Sequence, residues 1–379
     1  MTNRKTFGLV AAAVLAASLT LAGCGSSNSN SGGSSSSASA GGASPSASGA
    51  ASPSASTGSS PAASGGTVKL TIGGYSILKE SFGELIPIFQ KEWKDKTGQT
   101  VEFEQSYQAS GSQATAIIQG FEADIAPLSL EGDIQKIVDK GFITNDWKSK
   151  PHGGMITQSI AAIGVREGNP KQIKDWTDLT KPGVEVLIPN PSTSGGAKWD
   201  INGVYGAGLK MSEAAGQKDP EKAKELVAQI YKNVKVLDKS GADSLTTFDK
   251  GVGDAIITYE NELLARIQKG QKYEEVIPEY TTLIENPVAL VDKYVDKHGN
   301  REVAEAFLDF LWSPEAQDVL AKHGFRPVDA EVANKYADQY KTPPGLFDTS
   351  YLGGWDQVNK ELYGPGGMWE SVLAEGGAK

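Results

Sequence analysis

The chain has 379 residues and a net charge of −10, with 46 acidic against 36 basic side chains, a balance that argues against nucleic acid as a partner because phosphate neutralisation needs a surplus of Lys and Arg. Its one cysteine, Cys24, excludes an internal disulfide framework and a Cys-ligated zinc site. Small anions remain open as ligands, since a local constellation of donors can hold an anion inside an acidic protein.

Arg4 and Lys5 precede an apolar run from Phe7 to Leu21 that ends in Leu21-Ala22-Gly23-Cys24. The run is short for a membrane span and reads as a signal peptide over residues 1–23. Its end resembles the lipobox of bacterial lipoproteins, which implies diacylglycerol on the Cys24 thiol and cleavage just before it. Two or more acyl chains anchor stably where one is marginal, so the mature protein is expected on the outer face of the cytoplasmic membrane. After Cys24, the rest of the 24–66 segment, Gly25 to Gly66, holds almost nothing but Ser, Gly, Ala, Pro and Asn. Such a segment cannot bury enough surface to offset its ordering entropy. It is expected to be a disordered tether with a root-mean-square reach of about 35 Å.

From Thr67 onward strand and helix signals alternate. Val68 to Ile72 alternates like a strand, and Lys79 to Lys94 carries Phe82, Leu85, Ile86, Phe89 and Trp93 at helical spacing. Val101 to Gln105 leads into a helix at Gln113 to Phe121, and Val184 to Ile188 leads through Pro189 to Ser194 into a helix starting at Gly195. Val234 to Asp238 and Ala255 to Tyr259 each lead into a helix, the second over Glu260 to Lys269. The amphipathic Val303 to Leu311 precedes Ser313-Pro314-Glu315, a capping serine with proline in the first helical position. This is an α/β chain with mostly parallel sheets, and some three hundred residues are more than one core usually organises. Two lobes are expected.

No GxxxxGK[ST], GxSxG or HExxH occurs in the folded part, and His152, His298 and His323 are far apart in sequence. The acidic residues are scattered, and no acid–base pair announces itself. A secreted enzyme acting on an oxyanion ester therefore lacks a visible nucleophile or metal site. What recurs instead is a strand-to-helix turn rich in Ser and Gly: Ala109-Ser110-Gly111-Ser112, Thr193-Ser194-Gly195-Gly196 and Ser240-Gly241-Ala242. First-turn amides have no partner within the helix, and the helix dipole leaves partial positive charge there. Glycine lets an anion approach the backbone, and a serine hydroxyl adds a donor. Taken singly, such a turn is usually just an N-cap or a tight turn, and Trp199 nearby is by default a core residue. Converging, three of them make an anion cradle.

Order and spacing carry more than any one turn. The run Gln105 to Ala114, Glu122-Ala123-Asp124, Gly168-Asn169-Pro170-Lys171-Gln172-Ile173 through Asp175-Trp176, and Lys181-Pro182-Gly183-Val184 resemble the sulfate-binding proteins of bacterial ABC importers. So do Pro189-Asn190-Pro191, Ser194 to Trp199, Tyr259-Glu260-Asn261-Glu262 and Ser313-Pro314-Glu315, in one order across Val68 to Tyr340. The resemblance implies a two-lobed periplasmic-binding-protein-like fold of type II, with the ligand in the interlobe cleft. The expected lobes are 67–158 with 289–379, and 159–288, closing about strands near Ile160 to Val165 and Val288 to Val291.

The resemblance further implies that sulfate is held by uncharged donors alone: Ser110, then Ser194, Gly195 and Gly196, then Ala242, with Ser194 giving both amide and hydroxyl. Two positions depart from the family pattern. Tyr259 stands where a tryptophan is usual, and Ser76, beside Tyr75, stands where an aspartate is often found. The implied partners are the permease subunits of the importer, with a monomeric protein and neither cofactor nor metal. Thiosulfate, molybdate and tungstate are the alternative ligands, and a surface sensor retaining the fold is the alternative role.

Overall fold

The structure is a computed structural model that describes residues 65–376. The leader, Cys24 and all but the last two residues of the 24–66 segment lie outside the described residues.

Strand β1 (Thr67–Tyr75) is followed by a short 3-10 turn (Ser76–Leu78) and helix α1 (Lys79–Thr97). The apolar stripe expected of α1 is buried, and the helix stops at Gly98, whose φ of 73° is the left-handed closure that glycine adopts without strain. Next come β2 (Thr100–Gln108), α2 (Ser110–Ile118), β3 (Ile125–Pro127) and α3 (Glu131–Asp139). The long strand β4 (Met155–Arg166) then leads to β5 (Val186–Pro189), α4 (Gly195–Ala214), α5 (Pro220–Lys232), β6 (Val234–Asp238) and α6 (Gly241–Asp249). After these come β7 (Ala255–Tyr259), α7 (Glu260–Gln268), β8 (Tyr273–Val276) and the second long strand β9 (Leu283–Leu290). Helices α8 (Asp292–His298), α9 (Arg301–Phe310), α10 (Pro314–Lys322), α11 (Ala330–Lys335), α12 (Gly354–Glu361) and α13 (Met368–Gly376) complete the chain. The Ser313 cap is as expected, its hydroxyl oxygen accepting from the Ala316 amide at 3.1 Å.

The strands run in the order β2-β1-β3-β9-β4-β7-β5-β6, with β8 on β4. Each βα unit makes parallel neighbours, β1 with β2 and β3 and β5 with β6 and β7. The antiparallel pairs all involve the two long strands. Parallel pairing therefore holds within each half and fails where the chain passes between them. The junction is the ladder of Met155 to Ile160 against Leu283 to Pro287. This lies a few residues from the expected positions: Ala161 to Val165 already pairs with β7, and Val288 to Leu290 with β3. Strand β4 simply runs longer than its local pattern suggests.

Two large cores match the two halves. Leu70, Ile72, Phe82, Phe89, Phe307 and Leu320 belong to one, and Ile163, Val186, Ile188, Val227 and Ile257 to the other. The end of the chain differs from expectation. Phe347, Leu352, Val358, Leu362, Trp369 and Val372 pack into the second core, not the first. Helix α5 buries Val227, Ile230 and Tyr231 in that core, and Trp369 packs among them with its ring edge-on to Tyr231 at 5.3 Å. Covering this stripe removes apolar surface from water, at about 25 cal/mol per Å².

Candidate anion-binding site

Helices α2 and α3 from the first half and α4 from the second begin at one place. The approach is close enough to demand glycine. A Cβ on Gly111 would sit 3.0 Å from the Thr193 carbonyl oxygen, and one on Gly195 only 2.5 Å from Ser129 Oγ. Ser110, Ser194, Gly195, Gly196 and Tyr259 are all buried. The structure thus brings together five of the residues singled out in the sequence.

Their hydrogen bonds decide which donors remain. Ser110 Oγ donates to Asp133 at 2.6 Å and accepts from the Ser129 amide at 3.0 Å, so its hydroxyl proton is committed and only its backbone N–H is left. Ser194 caps α4, its Oγ accepting from the Ala197 amide at 3.3 Å, which leaves the hydroxyl proton to donate elsewhere. Its own amide donates to the Asn190 carbonyl at 2.8 Å. The expectation of two donors from Ser194 is therefore reduced to one, because the turn preceding the helix uses the amide to close itself. Gly195 and Gly196 occupy the first turn of α4, where the amides have no partner within the helix. A Cβ on Gly196 would lie 3.3 Å from Ser194 Oγ and 3.7 Å from the Tyr259 hydroxyl, so these donors face one volume.

Ser129 is the residue that sequence reasoning missed. Its Oγ is 3.3 Å from the Tyr259 hydroxyl, and either can donate. Its carbonyl accepts from Trp199 Nε1 and from Asn286 Nδ2, each at 2.8 Å. Asn286, on the joining strand β9, accepts in turn from Tyr75 at 3.1 Å and Thr157 at 3.0 Å. One residue of the β3–α3 turn thus ties together α2, α4, β7 and β9. No cap motif or glycine marks it in the sequence, and the N-cap of α3 is Leu130. Burial pushes the Tyr259 phenol well above its ordinary range, with the Tyr75 hydroxyl adding to the effect and the Ser129 bond opposing it. It stays protonated and available as a donor.

Ser76 and Ala242 lie apart from this group. They line a neighbouring cavity of about 170 Å³ together with Ile77, Asn261, Glu262 and Arg266. Ala242 is the second residue of α6, where the amide has no partner within the helix. Among the described residues no hydrogen bond links this pair to the Ser194 group. On the other side, a cavity of about 150 Å³ is lined by Gly111, Asp133, Lys136, Ser194 and Lys198. Lys136 pairs with Asp133 at 2.7 Å. Burial lowers the Lys198 pKa, helped by Lys136 nearby, and its ammonium lies 4.7 Å over the Tyr363 ring. Charged side chains therefore stand beside the expected donors, which are themselves uncharged. Asp133 and Glu262 border the donors, the first already accepting from Ser110 and Lys136.

A pair of α/β halves joined by two long strands, with helix starts from both halves meeting at one place, is the type II periplasmic-binding-protein fold. The profile described as bacterial extracellular solute-binding protein matches residues 70–326, and the chain belongs to that family. It is a solute-binding protein and not an enzyme. The chain is 44% identical over 307 residues to a sulfate-binding protein of Synechococcus elongatus, covering 80% of this chain and 86% of that one. It is 35% identical to a thiosulfate-binding protein of Pseudomonas aeruginosa, covering 79% and 90%. Among solved structures, the sulfate-binding protein SubI from Mycobacterium tuberculosis H37Rv superposes with a TM-score of 0.72 at 33% identity, over 78% of this chain and 99% of that one. The family is extracellular, and among the described residues no helix is long and apolar enough to cross a membrane.

Proposed function

We propose that the protein captures sulfate between its two lobes and delivers it to the permease of an ABC importer, held at the membrane by lipid on Cys24. The observation that supports this reading is the meeting of helix starts from both halves: a Cβ on Gly111 of α2 would sit 3.0 Å from the Thr193 carbonyl just before α4, a Cβ on Gly196 would lie 3.3 Å from Ser194 Oγ and 3.7 Å from the Tyr259 hydroxyl, and Ser129 Oγ is 3.3 Å from that hydroxyl. The first-turn amides of Ser110, Gly195 and Gly196 have no partner within their helices. Ala242 extends the set from α6. The ligand named for its nearer relatives points the same way. Sulfate is a proton-free dianion at neutral pH and only accepts hydrogen bonds. Amides and hydroxyls aimed at its oxygens replace water with charge-assisted bonds, and helix dipoles add to them. Hydrogen phosphate brings a proton that needs an acceptor. Asp133 is already engaged by Ser110 and Lys136, so leaving that proton unpaired costs about 1 to 3 kcal/mol.

Calorimetric titration of desalted protein against sulfate, thiosulfate, molybdate, tungstate and phosphate tests the reading. Tight binding of sulfate without added metal is expected, and tight phosphate binding contradicts the donor argument. Closure about the β4–β9 ladder should compact the molecule, because a ligand shifts a two-state equilibrium only by binding one state better. Identical small-angle scattering with and without sulfate overturns the closing step. Cys24→Ser should abolish both lipid labelling and membrane partition; lipid labelling that survives it removes the anchor.

A further inference from the structure

The turn between β3 and α3 reaches out of its own half. Helix α3 packs Ile134 and Ile137 with Ile117 and Leu128 in a core of the first half. Leu130, the cap just before it, is buried instead with Trp199, Val186, Ile188 and Ile257 in the core of the second. Among the described residues before β4, it is the one buried in that core. A Cβ on Gly195 would lie 2.9 Å from Leu130 Cδ2, so the start of α4 is shaped to admit this side chain. The residue beside it crosses through its backbone: the Ser129 carbonyl accepts from Trp199 Nε1 of α4 at 2.8 Å. Trp199 is fully buried, and the ring of Trp355, in α12, stands edge-on to it at 4.7 Å.

We infer that Leu130 and Trp199 are positioning residues, a clasp between the halves that holds them closed and sets how long the anion stays bound. This rests on the oxyanion reading. Neither side chain belongs to the donor set, and both act through the contact between halves. Closing moves the Leu130 side chain from water into an apolar core and adds the Trp199 hydrogen bond. Adjacent residues carry the two contacts, so they form and break together. That makes a two-state element, and the closed state gains both. The clasp forms after the anion has entered, so it slows exit without hastening arrival.

The first half can release this clasp without orphaning a polar group. A carbonyl oxygen has two lone pairs. Asn286 Nδ2, on the joining strand β9, donates to the same Ser129 oxygen at 2.8 Å, and the Ser129 amide is held by Ser110 Oγ at 3.0 Å. Parting the halves therefore breaks the Trp199 bond while the Asn286 and Ser110 bonds keep the turn in place. The Glu80–Lys269 ion pair also joins the halves, but both side chains are more than half exposed and water screens their attraction. The buried leucine and indole dominate the closed state.

Exchange of radiolabelled sulfate against excess unlabelled sulfate reads dissociation without a tryptophan signal that the variants would alter. Leu130→Ala should release sulfate about tenfold faster than wild type, and Trp199→Phe, which loses the indole N–H and keeps an aromatic ring, about fivefold faster. Association should stay within about threefold of wild type in both. Denaturant unfolding separates a clasp from an ordinary core residue. With the halves apart in the ligand-free protein, Leu130→Ala should leave stability near that of wild type, and its loss should appear only in saturating sulfate. Ile134→Val, one turn further along α3 and inside the first half, should lose as much without sulfate as with it. Release at the wild-type rate in both clasp variants overturns the inference. An equal loss of stability from Leu130→Ala with and without sulfate overturns it as well. Absence of sulfate binding to wild type overturns the oxyanion reading, and this inference with it.

Discussion

Helices α4 and α6 begin alike, each with a serine cap followed by glycine, yet they offer different chemistry. Ser194 Oγ accepts from the Ala197 amide and keeps its proton for a ligand. Ser240 Oγ accepts from the Asp243 amide at 3.2 Å and spends its proton on the Asp243 carboxylate. The third residue of each helix makes the difference: alanine has no acceptor to turn back on the cap, and aspartate does. The neighbours differ too, with the hydroxyls of Ser129 and Tyr259 facing α4 and the Glu262 carboxyl facing α6. A Ser-Gly helix start is therefore a donor set only where nothing local has claimed the hydroxyl.

The largest effect expected on this contrast is at Gly195. Gly195→Val drives a branched side chain into Ser129 Oγ and Leu130, and sulfate affinity should fall by more than about a hundredfold, some 3 kcal/mol. Circular dichroism should still show a folded protein, and affinity within a few fold of wild type means that α4 does not start against Ser129. On the α6 side, Glu262→Gln removes a buried acid whose pKa lies near 7 in the folded protein against an ordinary 4.5. A carboxyl raised by folding contributes stability below its unfolded pKa that is lost as pH rises through the folded value. The variant should therefore gain about 3 kcal/mol relative to wild type above about pH 8, and nothing below about pH 4. Denaturant unfolding at the two pH values measures this; equal differences at both remove the buried-acid account. Glu275, pushed by burial to about 8, destabilises wild type in the same direction.

Ser194→Ala removes one charge-assisted donor and should weaken sulfate binding by about 1.5 to 3 kcal/mol, or ten- to a hundredfold. Ser112→Ala, two residues past Ser110 in α2, is the control with a smaller loss. The smallest effect is at Asp243. Asp243→Ala frees the Ser240 hydroxyl and removes a charge beside α6, so affinity should rise about threefold, under 1 kcal/mol. Unchanged or weaker binding in the same titration means that α6 lies outside the site.

Local pattern made much of this legible. The strand–helix alternation from Val68 onward, the caps at Ser194 and Ser313, and the Ser-Gly turns all follow from spacing and end chemistry. Long-range partners were not legible, because nothing near a residue encodes what it meets across the fold. Ser129 precedes a helix capped by Leu130 and carries no turn signal, yet it is hydrogen-bonded to four elements. Nothing in the run Tyr259-Glu260-Asn261-Glu262 marks its acids as interior, yet Glu260, Asn261 and Glu262 are all buried. The commitment of the Ser110 hydroxyl to Asp133 spans 23 positions. The end of the chain was assigned to the wrong half for the same reason: Trp369 packs on Tyr231 of α5, far back in sequence, in the second core.

Selenate is a tetrahedral, proton-free dianion like sulfate, and its selenium scatters anomalously, so a crystal grown with it locates the ligand without reference to any variant. The anomalous peak should lie between the two halves, with oxygens within hydrogen-bond distance of Ser194 Oγ, the Gly195 and Gly196 amides and the Ser129–Tyr259 hydroxyl pair. A peak anywhere else, or ligand oxygens held by Lys136 and Lys198 instead, contradicts capture by uncharged donors at the helix starts.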